Sequence, residues 1–469
     1  MPFPEGFGMA DKKITNALYL PDWTVEDVKK PNAKTYLVEA AYDVKPDHCP
    51  KCGSLQKPYR HGPITVDYTD APVHGRQTTV RVTVQRYRCR DCGKTFNQPL
   101  PDMDPARLMT KRLVSYVADQ GLVTTYAKVS ADTGLNEKTV RDVCNAHISR
   151  LLSEHRVTAP VALGIDELTL DGGERRSIFT DIGERRILDL IESMNRPAVD
   201  RWLYSLPHKD RVKIVTIDMH DPYRQAAYGI LPNAVVIADR WHVQKLVNKR
   251  LDVIRNRIRR GKTGKGRKNP WRARRLIQAS RHNLSPQRLF ILDGMLKNDP
   301  LLHAAWQAKE TFYDIWHGDP TRYEAEKRFD AWREGIPAEV QTEFGSLATV
   351  VEDWRQEVFA FFDHRYTNAY TEAANGLIKI ANRAGRGYRF DAIRARAIHY
   401  SSLRPRAQFV CESCLGQYDV ALSEWHRWKL LRVPHAPGAK RPEELCETCH
   451  RLHIKEWLHG RPVSTRKSG

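Results

Sequence analysis

Apolar and polar positions change their period several times along the 469-residue chain, and each change marks a new kind of element. The stretch "TTVRVTVQRYRC", residues 78–89, alternates as a strand with one covered face does. From 108 to 152 the spacing turns helical. Leu113 and Val117, then Tyr126 and Val129, recur at helical intervals, Gly134 stands at a turn, and Asn136 is placed to cap "EKTVRDVCNAHI". From 159 short apolar runs return: "APVALGIDELTL", "RRSIFTDIG" and "RRILDLIES" read as three strands joined at Gly172/Gly173 and Gly183. "RPAVDRWLYSLP" then reads as a helix, "VKIVTI" as a fourth strand, "PYRQAAYGIL" as a helix and "AVVIA" as a fifth strand. The stretch 243–371 is too long for a simple connection and holds helical patterns such as "LLHAAWQAKETFYDIW" and "SLATVVEDWRQEVFAFF".

These elements predict a multidomain α/β protein, since a chain of this length exceeds what one core organises. Three antiparallel strands followed by alternating helix and strand is the order of a ribonuclease H-like domain. In that fold the first strand is central, the fourth lies beside it and the fifth beyond. An all-helical insertion interrupts it. Upstream, the helical stretch predicts a helix-turn-helix whose second helix enters the major groove, with Asn136, Lys138, Thr139 and Arg141 near bases or phosphates. An ordinary helical hairpin has the same pattern.

Three aspartates in "KIVTIDMHDPYRQAAYGILPNAVVIADRWHV" are separable by local roles. Asp221, before Pro222, is expected to N-cap the helix that follows, and Asp239 to cap "RWHVQKLVNKRL". Asp218 ends the fourth strand and no cap accounts for it. Its companion Asp166 lies inside the apolar first strand, where an uncompensated charge costs several kcal/mol. A divalent cation is the usual compensation, and Mg²⁺ takes oxygen ligands. Glu167, next along the strand, points to the opposite face. In "RYTNAYTEAANGLIKIANRAGRGYRF", Asn368, Glu372, Asn375 and Lys379 form a polar stripe on an otherwise apolar helix, a stripe that faces either solvent or a metal and phosphate site. Arg383, Arg386 and Arg389 with Gly385 and Gly387 predict a basic loop against a nucleic-acid backbone.

Eight of nine cysteines fall in four C-x-x-C pairs. Cys49, Cys52, Cys89 and Cys92 predict a zinc ribbon, each pair followed by the glycine a tight knuckle needs. Cys411, Cys414, Cys446 and Cys449 predict a second zinc site, with His450 and His453 as substitute ligands, so one or two structural Zn²⁺ ions are expected. The 76 Lys and Arg against 56 Asp and Glu give a net charge of +20 and a pI near 9.6, which points to a polyanionic partner. The arm "KRLDVIRNRIRRGKTGKGRKNPWRARR" concentrates that charge. Arg257, Arg259, Arg260, Lys262, Lys265, Arg267 and Lys268 are its candidate phosphate contacts. Trp271, Trp306, Trp316, Trp332 and Trp354 are read as insertion core in preference to base-stacking residues. No run of 18 apolar residues exists and "MPFPEGFGMA" lacks the features of a secretory signal, so the expected location is the cytoplasm, with no membrane partner.

"GIDE", "TIDMHDPYR", "LPNAVVIADRWHV", "NAYTEAANGLIK" and "RAGRGYRF", behind a cysteine-paired N-terminus, resemble the bacterial insertion-sequence transposases of the ISL3 family over residues 45 to 410. The resemblance implies a DDE catalytic triad of Asp166, Asp218 and Glu372 holding Mg²⁺ or Mn²⁺. It also implies two-metal phosphoryl transfer, in which a freed 3′-OH joins target DNA. Related Mutator-like enzymes carry Cys or Asp, two residues and then His after the fifth strand. "ADRWH" matches that pattern and makes Asp239 and His242 an accessory pair, alongside Asn368, Asn375 and Lys379.

The implied partners are double-stranded DNA, as terminal inverted repeats and target, and a second copy of the chain in a synaptic complex at the nucleoid. A zinc-containing transcriptional regulator explains the charge and the N-terminal modules but not the ordered carboxylates. A structure-specific nuclease of the same fold explains the carboxylates but not two recognition modules. The expected divisions are an N-terminal segment (1–44), zinc ribbon (45–100), helix-turn-helix (101–158) and first catalytic part (159–245). A helical insertion (246–362), the glutamate helix (363–408) and a C-terminal cysteine-paired segment (409–469) follow.

Overall fold

The computed structural model describes residues 22–170, 173–261, 274–385, 387–402, 406–410 and 417–421. Strands β1 (Trp23–Asn32), β2 (Thr35–Tyr42), β3 (Tyr59–Val73), β4 (Arg76–Arg88), β5 (Thr95–Asn97), β6 (Met103–Asp104) and β7 (Met109–Thr110) form one sheet. Its order is β1-β2-β4-β3-β7-β6, with β5 on β4. β3 and β4 are joined through His74 and Gly75, both at positive φ, the conformation of a tight hairpin. The alternation read in β4 is real: Val80, Val82 and Val84 are buried with Trp23, Val38, Tyr68 and Met103. The sheet starts at Trp23, so the stretch set apart as 1–44 supplies two strands of the ribbon's own sheet. β1 is polar and largely exposed, which is why no apolar alternation announces it.

Helices α1 (Lys111–Val123), α2 (Tyr126–Thr133) and α3 (Glu137–Glu154) follow. Thr110, Thr125 and Asn136 cap them by accepting the backbone N–H of Leu113, Lys128 and Lys138. Leu113, Val117, Val129, Val140, Val143 and Ile148 build their core. Buried Asp70 on β3 accepts from Thr110 Oγ1 at 2.6 Å and Arg112 Nε at 2.7 Å, which ties α1 to the sheet.

The second sheet holds β8 (Ala162–Thr169), β9 (Arg175–Asp181), β10 (Arg186–Ile191), β11 (Ile214–Ile217) and β12 (Val235–Ala238) in the order β10-β9-β8-β11-β12. β8, β9 and β10 are antiparallel neighbours, while β11 runs parallel to both β8 and β12. Helix α4 (Arg196–Ser205) precedes β11, α5 (Asp221–Ile230) joins β11 to β12, and α6 (Arg240–Arg260) leaves β12. α6 runs straight through residue 246, the expected start of the insertion. Its Val243, Val247, Leu251 and Ile254 share one continuous core with Val215 and Ile237 of the sheet and with Phe312, Phe329, Phe344 and Phe359 of the helices up to His364. Trp306, Trp316, Trp332 and Trp354 are buried in that core at 5–7% exposure, as packing residues; Trp271 lies outside the described residues.

Two helices close the domain, Ala369–Gly385 (the Glu372 helix) and Phe390–Ser402. The second is a strut. Its Ala392 and Ala395 belong to the α1–α3 core and its Ile393 and Ala397 to the core under β8–β10. Arg396 donates to the Thr124 carbonyl at 2.9 Å, and Arg394 grips the buried Asp189 of β10 with two bonds of 2.7 and 3.0 Å. Among the described residues no helix is long and apolar enough to cross a membrane.

Candidate active site

Strand register places the acidic groups. Ile165 of β8 pairs with Ile217 of β11, and Ile217 with Ala238 of β12. The next residue along each parallel strand is therefore in one row, and those residues are Asp166, Asp218 and Asp239. β11 and β12 end there, so the row lies at the carboxyl edge where open α/β sheets bind ligands. The Glu372 helix is brought to this edge by Asn368, which is fully buried. The Asn368 backbone N–H donates to Asp239 Oδ1 at 3.0 Å and its Nδ2 to the Ile165 carbonyl at 3.1 Å, while its Oδ1 accepts from Thr216 and Thr371 at 3.0 and 2.7 Å. Thr371 and Thr180 hydroxyls meet at 2.7 Å. A Cβ on Gly164 would stand 2.5 Å from Thr180 Oγ1 and 2.7 Å from Thr371 Oγ1, so the helix approaches β8 over a residue without a side chain.

On this seat Asn375 donates to Asp166 Oδ2 at 2.9 Å and to the Glu167 carbonyl at 3.1 Å. Glu167 itself accepts from Thr169 and Arg175 instead of facing the cluster. His242 Nδ1 lies 3.4 Å from Asp239 Oδ2 and 4.0 Å from Glu372 Oε1. Ligand atoms of Asp166, Asp218 and His242 all fall within 4.8 Å of one another, and so do those of Asp239, His242 and Glu372. The imidazole therefore bridges the two aspartates and the glutamate. Asp239 caps α6 through the Trp241 N–H as expected. Asp221 does not cap α5: the cap position is His220, without a side-chain bond, and Asp221 is the first helical residue, paired with Arg224 at 2.8 Å. Lys379 is half-buried and makes no hydrogen bond or ion pair among the described residues.

Burial raises the Asp166 carboxyl to about 6, with His242 opposing. Asp218 is pushed up to about 7 by burial and then by the charge of Asp166. Glu372 reaches about 7 through burial and the charge of Asp239. For His242, burial works downward, but the close contact with Asp239 and the charges of Asp166 and Asp218 outweigh it and the net shift is upward. Asp218 Oδ1 and Glu372 Oε1 are buried without a hydrogen-bond partner. Carboxylates gathered in this way repel one another, and their vacant oxygens suit a hard divalent cation.

The cysteine cluster is of another kind. Cys49 and Cys92 sulfurs are 3.9 Å apart and those of Cys52 and Cys89 3.7 Å, close to the edge of about 3.8 Å that tetrahedral Zn–S bonds near 2.3 Å require. Gly53 and Gly93, at φ +72° and +67°, turn the two knuckles; backbone N–H groups of Cys92 and Asp91 lower the Cys89 thiol, while its neighbour Cys52 is pushed up by the surrounding thiols. The four thiols fit structural zinc. Cys411, Cys414, Cys446 and Cys449 lie outside the described residues.

The basic candidates divide. Lys138 and Arg141 are exposed on α3, Arg141 pairing with Glu137 at 3.1 Å; Thr139 is half-buried and Asn136 is the cap. Arg257 is engaged by Glu343 at 3.0 Å, Arg259 is half-buried and Arg260 exposed. Lys262, Lys265, Arg267, Lys268 and Arg386 lie outside the described residues. Arg383 is exposed on the last turn of the Glu372 helix, not in a loop, and Arg389 is exposed just before the strut.

Sequence reasoning missed Thr180, Thr216, Thr371 and Gly164. Two signals were present. Thr216 is the one polar residue of "IVTI" and Gly164 the one residue without a side chain in "ALGID".

A family model described as "Transposase", for ISL3-type DDE proteins, matches residues 163–397. A second, described as the zinc-finger of transposase IS204/IS1001/IS1096/IS1165, matches residues 45–92. The transposase for insertion sequence element IS1001 of Bordetella parapertussis is 23% identical over 378 residues, 79% of this chain and 89% of that protein.

Proposed function

Since the chain belongs to the ISL3 family of insertion-sequence transposases, we propose that it binds the terminal inverted repeats of its element and cuts and joins DNA strands at Asp166, Asp218 and Glu372. The observation that carries this is the row of buried carboxylates at the carboxyl edge, with unpartnered oxygens on Asp218 and Glu372. The strand order β10-β9-β8-β11-β12 supports a ribonuclease H-like reading of the domain. A divalent cation, Mg²⁺ or Mn²⁺, held by the triad supplies the positive charge that offsets the carboxylates and polarises the phosphodiester. Asn375 orients Asp166, and Asn368 fixes the height of the Glu372 helix through Asp239. His242, its pKa raised by the neighbouring carboxylates, lies between Asp166 and Asp218 on one side and Asp239 and Glu372 on the other.

α1–α3 act as a helix-turn-helix, with Lys138, Thr139 and Arg141 of α3 toward DNA and the zinc ribbon alongside. Arg260, Arg383 and Arg389 are exposed cations suited to backbone phosphates. Joining two ends calls for two copies of the chain, so a homodimer is the working unit, at the nucleoid. The divisions retained are the sequence-based ones with two edges moved: the ribbon's sheet starts at Trp23, and the insertion starts beyond α6.

The test is strand cleavage of a duplex carrying the inverted repeat that flanks the reading frame. Cleavage is expected with Mg²⁺ and absent with EDTA. Asp218→Asn is expected to bind the duplex and not cut it; retained cutting would sink the assignment.

A further inference from the structure

Arg240, one residue beyond Asp239, lines a cavity of about 360 Å³ between α6 and the insertion, together with Gln278, His282, Asn283, Trp316 and His317. The catalytic cluster uses none of these side chains. The imidazoles of His282 and His317 lie face to face, centroids 4.1 Å apart and planes 6° from parallel, and both residues are exposed. Arg240 is half-buried and forms no ion pair with any described residue; its guanidinium carbon packs 6.0 Å from the centre of the Trp316 ring. A half-buried guanidinium with no carboxylate at ion-pair distance among the described residues, and with the Arg365 charge near it, has room for an anion from outside. Gln278 spends its amide N–H on Asp252 at 2.9 Å, and its carbonyl remains an acceptor at the wall. Flat π-faces, an unpaired guanidinium and neutral amides are the chemistry that holds a nucleotide. The volume lies at the small end of ligand cavities, about 300–1,000 Å³, which suits one nucleotide and excludes a duplex. A second hollow shares Gln278 with the first and carries Trp241, 49% exposed, with the Lys245 ammonium 4.8 Å from its ring centre. A strand entering there meets another flat, cationic surface.

We propose that this cavity holds one unpaired nucleotide of the DNA strand at the active site, its phosphate against Arg240 and its base on the His282/His317 pair. The proposal rests on the transposase reading above. It gives the insertion a task at the reacting strand, because Arg240 and the capping Asp239 are consecutive residues.

Fluorescence anisotropy with the full chain tests it on two labelled duplexes bearing the flanking inverted repeat, one blunt and one ending in an unpaired three-thymidine tail. The wild-type chain is expected to bind the tailed duplex about tenfold more tightly, the worth of one base-stacking contact. His282→Ala combined with His317→Ala is expected to erase that preference and leave the blunt duplex unaffected. Both histidines are exposed, so the double variant should fold, and circular dichroism checks that it does. A double variant that keeps the preference, or that weakens both duplexes equally, overturns the proposal. A wild-type chain that binds both duplexes equally overturns the pocket alone, whereas one that binds neither overturns the transposase reading with it.

Discussion

The thiol cluster and the carboxylate cluster are both suited to metal, and they differ in how their ligands reach one another. Cys49, Cys52, Cys89 and Cys92 sit on two short knuckles of a single sheet, each closed by its own glycine, and their sulfurs meet with nothing left over. Asp166, Asp218 and Asp239 come from three parallel strands and Glu372 from a helix beyond the insertion, and two of their oxygens remain unpartnered in the fold. Closed coordination stabilises and does no chemistry; open coordination destabilises until something enters. The first site should fail by unfolding and the second by losing rate.

Cys49→Ser should have the largest effect. It is expected to strip the zinc and unfold the sheet around it, at a cost on the order of 10 kcal/mol, read as loss of bound zinc and of one calorimetric transition. The comparison breaks if the second transition, that of the carboxylate domain, disappears as well. Asp218→Asn should leave both transitions in place and reduce strand cleavage about a thousandfold, the rate equivalent of several kcal/mol of lost charge stabilisation. Asn375→Ala removes one hydrogen bond to a charged Asp166 and should slow cleavage roughly tenfold to a hundredfold. An unchanged Mg²⁺ concentration dependence in that variant would deny Asn375 its role in orienting the aspartate.

The smallest effect is in pH. The folded-state pKa values of Asp166, Asp218 and Glu372, about 6, 7 and 7, lie above their ordinary values of 3.8, 3.8 and 4.5. Groups raised by folding stabilise fully below their unfolded values, and that stability is lost as pH rises through 6 to 7. Without metal the carboxylate domain should melt at a lower temperature at pH 8 than at pH 5. Mg²⁺, which binds the ionised forms, should raise the melting temperature by a few degrees at pH 8 and hardly at all at pH 5. Equal shifts at the two pH values would show that the cation binds elsewhere.

The difference between the clusters also sets what could be read in advance. The cysteine spacing is local, so the ribbon and its four ligands were legible, as were the alternation of β4 and the succession of strands and helices from β8 to β12. Asp218 was legible by elimination, because no cap explained it. Asp221 was misplaced by one residue, since a cap and a first-turn carboxylate look alike beside a proline. The seat of the Glu372 helix was not legible. It depends on Thr216 and Thr371 donating to Asn368 and on Thr180 meeting Thr371, and each alone is an ordinary threonine. β1 escaped because apolar burial is confined to its first residues, Trp23 and Val25, and strand pairing holds the rest.

Because Val243, Val247, Leu251 and Ile254 of α6 share one core with the insertion helices and the sheet, a gene trimmed of the insertion should not encode a smaller working version. A copy lacking the codons for residues 274–362 would encode a chain whose α6 has lost the insertion helices packed on it, a target for cellular proteases instead of a competitor for DNA ends. Internally deleted elements should thus be passengers, mobile only when an intact copy supplies the protein and unable to silence it. Expressing such a deletion beside the intact gene should leave the frequency of movement unchanged.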